Sequence, residues 1–258
     1  MLDLDEVSSE EEAGLGSHGA AEDGGGRGFP PTLMHTNRFT KAFNSVVDTY
    51  ATATYGEVNP AVFTIATFPF LFGIMFGDVG HGLLLLLAAL AMLTFERRLL
   101  RLHKEELGQL GTVFRARYLV LLMALCAIYC GFLYNEFFAL PMNLQYTRWL
   151  PDPPSQYWVK NPNVTTFPFG ADPIWKMAEN ELQFYNSLKM KLSIVVAYLH
   201  MMLGLVLMAF NAVHFRRPYD LYWEFIPRAL FLTCIIGYMV LLIFWKVRGV
   251  ERGRRSFY

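Results

Sequence analysis

Apolar residues fill most of this chain, and the few places where they stop define its elements. From Ala61 to Phe95 the only titratable side chains are Asp78 and His81. A bilayer-crossing helix needs about 20 apolar residues, so this block is too long for one crossing and short for two full ones. Its break, Phe76-Gly77-Asp78-Val79-Gly80-His81-Gly82, sets glycines around an acid and an imidazole. That pattern predicts a tight turn joining two short helices over 61–76 and 80–95. Further apolar runs predict helices over 118–138, 190–213 and 225–245. The expected fold is all-α and polytopic, with about five transmembrane helices and a Pro-rich luminal loop.

The polar stretches divide the rest. Residues 1–29 are rich in Glu, Asp, Gly and Ser and bury too little apolar surface to offset ordering, which predicts a disordered cytosolic tail. Residues 30–60 form a cytosolic juxtamembrane segment, with Phe39, Phe43, Val46, Val47 and Tyr50 at helical spacing. A membrane domain covers 61–246, and 247–258 is a basic tail. Between 139 and 187, prolines such as Pro141, Pro151, Pro153, Pro154 and Pro168 exclude a regular helix or a central strand.

Charge sets the expected orientation. Arg97, Arg98, Arg101, Lys104, Arg115 and Arg117 crowd the loop over 96–117, whereas Arg148, Lys160, Lys176 and Lys189 are spread over 135–189. The positive-inside rule makes the first loop and the N-terminus cytosolic and the second loop luminal. Asn163-Val164-Thr165 is a glycosylation sequon inside the luminal loop, with Asn163 as the acceptor. Lys246, Arg248, Arg252, Arg254 and Arg255 follow a fifth crossing and break the pattern, so the last helix is the least settled span.

Composition agrees: 54% hydrophobic, 17% charged, and a formal net charge of zero. No global field argues for nucleic acid. The acidic start has no basic segment leading into an apolar one, so no cleaved signal peptide is expected. The three cysteines lie in apolar runs. Cys126 and Cys130, four apart on one helical face, read as small apolar residues before they read as a soft ligand pair. There is no phosphate-binding Gly-Lys-Ser/Thr loop and no metal-ligand cluster, so neither ATP hydrolysis by the chain itself nor a cofactor is expected.

Several separated motifs occur in order: Glu57-Val58-Asn59-Pro60-Ala61-Val62-Phe63-Thr64, Phe68-Pro69-Phe70-Leu71-Phe72-Gly73 and Met75-Phe76-Gly77-Asp78-Val79-Gly80-His81-Gly82. They continue through Tyr129-Cys130-Gly131-Phe132-Leu133-Tyr134-Asn135-Glu136, Phe167-Pro168-Phe169-Gly170-Ala171-Asp172-Pro173, Ala178-Glu179-Asn180-Glu181-Leu182, Asn186-Ser187-Leu188-Lys189-Met190-Lys191-Leu192-Ser193 and Phe225-Ile226-Pro227. Over roughly 30–246 this resembles the membrane domain of subunit a of the V-type (vacuolar) rotary ATPases. The resemblance implies a non-catalytic membrane-sector subunit that takes part in ATP-driven proton translocation and organelle acidification. It would sit beside the proteolipid c-ring and other membrane-sector subunits, in the bilayer of a vacuole, lysosome or other acidic compartment, with the peripheral ATPase sector as an indirect partner. Against the family pattern the chain reads as a partial subunit, without the long cytosolic domain and without the region that carries the ring-facing arginine.

The resemblance leaves the polar residues to be weighed one by one. Asp78 and His81 are candidates for a proton relay, because ionisable groups in an apolar hairpin are costly and often functional. The favoured reading is structural, with Asp78 capping the second helix and His81 hydrogen-bonding across the hairpin. Glu136, Glu179 and Glu181 lie at predicted luminal helix ends, as a proton entry or, more simply, as solvated interfacial groups. His200 and Asn211 read as interhelical hydrogen-bonders, and Arg228 as an arginine snorkelling to the interface. Two other functions compete. A structural or regulatory paralogue would bind pump components without translocating protons. An independent channel or secondary transporter would conduct without partners, but it would need broken helices in both halves, and one glycine-broken hairpin is visible.

Overall fold

The computed structural model describes residues 35–50, 52–96, 111, 113–142, 147, 149–151, 158–160 and 169–255. The helices are α1 (Thr40–Asp48), α2 (Ala61–Met75), α3 (Val79–Thr94), α4 (Arg117–Tyr134) and α5 (Glu181–His214). A last continuous helical run follows, in which π-type turns at Asp220–Phe225 and Thr233–Gly237 flank α6 (Ile226–Leu232) and precede α7 (Tyr238–Arg255). Between α4 and α5 lie two small antiparallel hairpins and a 3-10 turn, Pro173–Met177. The first hairpin pairs β1 (Glu136–Phe137) with β2 (Leu140–Pro141), and the second pairs β3 (Trp149–Pro151) with β4 (Trp158–Lys160). The fold is therefore predominantly helical rather than all-α, and Pro141 and Pro151 stand at the ends of two-stranded edges, where a missing donor costs little.

Three runs are long and apolar enough to cross a membrane: Arg117–Tyr134, Glu181–His214 and Asp220–Arg248. The expected five crossings thus divide into three full-length helices and two shorter apolar ones. At 15 and 16 residues, α2 and α3 rise about 22–24 Å, less than the roughly 30 Å of hydrocarbon. The expected start of the fourth helix at 190 is corrected to Glu181. The polar residues ahead of the apolar run do not end this helix, because Glu181 and Lys189 find partners in the preceding segment. The last helix likewise starts before 225, at Asp220, and passes Pro227 unbroken. The widened turn ahead of Pro227 places it in the first turn of α6, where its missing N–H does no harm.

Packing centres on α4, which both α2 and α3 lie against, while α5 packs on α2 and the last helix on α5. Helix α1 covers part of the 30–60 juxtamembrane segment, and its fully buried Phe43 anchors it against α2 and α4. Small side chains make the α4 seams close. A Cβ on Gly73 would stand 2.7 Å from the Cys126 carbonyl, and one on Gly131 would collide with the backbone nitrogen of Val79. Cys130 is buried with Ile74 and Tyr134 in the core, and all three cysteines are free thiols, which fits their reading as small apolar residues. Gly131→Ala should therefore lower stability by about 1–3 kcal/mol through overpacking, read as a drop in thermal midpoint in detergent. Gly204→Ala on α5, where nothing lies within 4 Å of the added carbon, should be neutral or slightly stabilising in the same assay.

Candidate functional site

Asp78 sits in the turn between α2 and α3, with extended backbone angles suited to an N-cap. Its Oδ1 accepts the N–H of Gly80 at 2.7 Å and of His81 at 3.3 Å, satisfying donors that the first turn of α3 leaves open. The same carboxylate reaches a distant segment. Oδ1 accepts the Phe138 N–H and Oδ2 the Ala139 N–H, each at 3.0 Å. Phe138 and Ala139 form the two-residue loop of the β1–β2 hairpin, and both have left-handed φ, 47° and 62°. Such a loop normally takes Asn-Gly, because side chains resist positive φ. Here the turn presents two successive N–H groups to a carboxylate, as anion-binding nests do. Partial burial pushes the Asp78 pKa up, but the Phe138 and Ala139 N–H groups, with His81, outweigh it and hold it below the ordinary carboxylate value.

His81 completes this lock. Its Nδ1 lies 3.1 Å from Asp78 Oδ2, so it bonds to its own turn instead of across the helix pair. Its ring stands edge-on to Phe76 and Phe138, at 5.9 and 5.1 Å between centroids. Gly80 leaves room for the Phe138 ring, which a Cβ there would meet at 2.6 Å.

Beside the lock, the start of β1 carries the second cluster. Glu136 is 7% exposed and is bound by two lysines, Lys176 Nζ at 3.0 Å to Oε1 and Lys189 Nζ at 3.1 Å to Oε2. Lys176 also reaches Glu181 Oε1 at 3.1 Å. Two acids and two bases thus form a neutral chain that ties β1, the 3-10 turn and the start of α5 together. The ammonium of Lys176 lies over the Tyr185 ring and that of Lys189 over the Tyr134 ring, at 4.7 and 4.9 Å, which adds cation–π attraction. Desolvation pushes the Lys176 pKa down, but its bonds to Glu136 and Glu181 outweigh this and raise it. The Tyr185 hydroxyl is buried and has no hydrogen-bond partner among the described residues.

Neighbouring contacts seat this end of the bundle. Asn135, in the left-handed conformation, ends α4 and donates its side-chain amide to the Ala171 carbonyl at 3.1 Å. Buried Asp172 caps the 3-10 turn and accepts the Thr147 hydroxyl at 2.8 Å. Of the residues expected to matter, Asp78 and His81 meet in the lock and Glu136 and Glu181 in the charge cluster. Glu179 is exposed and stands outside it. Asn163 lies outside the described residues. Asn211 accepts the Val58 N–H at 3.0 Å, whereas His200 is exposed. No group of acids, histidines and cysteines fit to hold a metal occurs among the described residues.

The residues missed by sequence were the cations. Lys176 and Lys189 read as scattered loop charges, although Glu181, Tyr185 and Lys189 are spaced four apart and so share one helical face. Arg117 read as a solvated loop residue. It is 8% exposed, bonds Glu96 at 2.8 Å, and lies 4.8 Å from each of the Phe114 and Tyr118 rings.

Long apolar helices, a glycine-lined seam and a polar lock at one end define a multi-helix membrane protein. The chain belongs to the V-type ATPase 116kDa subunit family, whose profile it matches over residues 10–252, beyond both ends of the 30–246 stretch. It is 45% identical over 249 residues to the human V-type proton ATPase 116 kDa subunit a 3, covering 89% of this chain and 30% of that protein. It is 41% identical over 235 residues to the mouse V-type proton ATPase 116 kDa subunit a 1, covering 84% of this chain and 28% of that one. With the V-type proton ATPase subunit a of Neurospora crassa it shares 44% over 236 residues, 88% of this chain and 27% of the other. The chain thus spans less than a third of the length of these relatives.

Proposed function

We propose that this chain is a non-catalytic membrane-sector subunit of a V-type rotary proton pump, taking part in ATP-driven proton translocation and acidification of a vacuole, lysosome or similar compartment. Its partners would be the proteolipid c-ring and other membrane-sector subunits, with the peripheral ATPase sector coupled indirectly. The observation that carries this reading is the family match across nearly the whole chain, together with helices of membrane-crossing length. The basic loop and N-terminal segment would face the cytosol, and the lock and charge cluster the lumen.

Within the pump this segment acts as scaffold. A proton carrier needs an acid free to exchange, yet Asp78 accepts four backbone N–H groups and Glu136 is held by two ammoniums. Removing either acid should reduce how much pump assembles and leave the rate per assembled pump unchanged. The measurement is ATP-driven proton uptake in vesicles carrying Glu136→Gln, normalised to assembled complex by immunoblot. A normalised rate that collapses with assembly intact would instead place Glu136 in the proton path.

A further inference from the structure

At the opposite end of α5 from Glu181, a cavity of about 510 Å3 opens between residues 52–60, the last turns of α5 and the first turns of the last helix. That volume is typical of small-molecule sites. Part of its wall is apolar, from Val58, Leu207 and Met208, and Gly204 leaves a notch in the exposed face of α5. The rest carries both signs of charge: Glu57, Asp220 and Glu224 with Arg217 and Arg228.

These charges are only partly spent on one another. Arg228 pairs with Glu224 one turn earlier and touches the Met208 sulfur, while Glu57 accepts the Thr54 N–H at 2.8 Å. The Arg217 guanidinium and the Asp220 carboxylate have no ion-pair partner among the described residues. Arg217, 5.7 Å from the Phe215 ring, and Asp220 therefore line one cavity beside an apolar wall, each without an ion-pair partner among the described residues. A second observation gives the depth. Tyr219, Tyr222 and Trp223, in the turn that borders the cavity, are 77%, 62% and 78% exposed. Exposed Tyr and Trp at the end of a membrane helix mark the headgroup layer, where one side of the ring is apolar and the other wet.

We propose that this cavity binds the headgroup of a zwitterionic glycerophospholipid bearing a primary amine. The phosphate lies on Arg217 and Arg228, the ammonium donates to Asp220 and Glu57, and an acyl chain follows Leu207 and Met208 down α5. Three carboxylates against two guanidiniums disfavour an anionic headgroup, and a trimethylated amine has no N–H to give to the acids. The inference rests on the membrane reading of the chain, and its test separates the two.

The full chain is inserted into nanodiscs of equal parts phosphatidylethanolamine, phosphatidylcholine and phosphatidylserine, and the lipids that stay bound on release are counted by native mass spectrometry. Phosphatidylethanolamine should be retained with roughly tenfold enrichment over phosphatidylcholine, the size of one charge-assisted hydrogen bond. Arg217→Gln and Asp220→Asn should each abolish the enrichment, and Lys246→Gln, at the far end of the last helix, should leave it intact. Lipids retained in disc proportions, a preference for phosphatidylserine, or enrichment that survives both variants overturns the headgroup site while leaving the membrane reading standing. Failure of the chain to enter the discs sinks the membrane reading and the site with it.

Discussion

Asp78→Ala is expected to loosen the end of the bundle that the α2–α3 turn and the β1–β2 hairpin share, at a cost on the order of 3–5 kcal/mol. The size follows from what one carboxylate does. It caps α3 through Gly80 and His81, a contribution of about 1 kcal/mol. It also accepts the N–H groups of Phe138 and Ala139, and leaving each of these without an acceptor costs roughly 1–2 kcal/mol. Once the carboxylate is gone, those donors lose their acceptor and nothing offsets the strained turn. Thermal unfolding in nanodiscs and protease cleavage at 138–139 should report the loss together. A variant within about 0.5 kcal/mol of the parent would mean that something other than Asp78 holds the hairpin.

The pH dependence has a definite sign. The folded pKa of Asp78 lies below its unfolded value of about 3.8, so its stabilisation is full above that value and is lost as pH falls through the lowered one. Lys176 is the mirror case. Its folded pKa lies above 10.5, so its share is full below that value and is lost only as pH rises beyond it. Between those limits neither group should make stability vary with pH.

Glu136→Ala should cost on the order of 3 kcal/mol, because it leaves Lys176 without its central partner and removes the anion of Lys189. Lys176 keeps Glu181, so the damage should centre on the β1 side and on the seating of α5. Hydrogen exchange should rise in β1 and in the first turns of α5, and stay unchanged in α6 and α7. Lys189→Met, which removes the ammonium from over Tyr134, should still cost less than Glu136→Ala, since the Lys189 side chain is 36% exposed against 10% for Glu136, and Glu136 retains Lys176. Equal exchange throughout the chain would mean that the cluster is a surface decoration.

Much of the helical frame was legible because hydropathy and glycine placement act locally. The turn at Gly77-Asp78 and the ends of α2 and α3 could be read within a residue or so. The misses came where polar residues are satisfied from far along the chain. Sequence gives no local sign that Asp78 meets Phe138 and Ala139, about sixty positions away, or that Glu136 meets Lys189. For the same reason α5 begins earlier than its hydropathy suggested, and Arg117, sandwiched between rings beside Glu96, read as a loop charge. The short β1–β2 loop was invisible because its left-handed Phe-Ala pair violates turn preferences, and its N–H groups are met by Asp78 from about sixty positions away.

The most direct test of the account is to purify the tagged full chain from native membranes in mild detergent and identify by mass spectrometry what comes with it. The account predicts the proteolipid c-ring and other membrane-sector subunits of a V-type pump in near-stoichiometric amounts, with Asp78→Ala lowering the yield of the assembly. A chain recovered alone, stable, and able to conduct protons in liposomes without partners would contradict it.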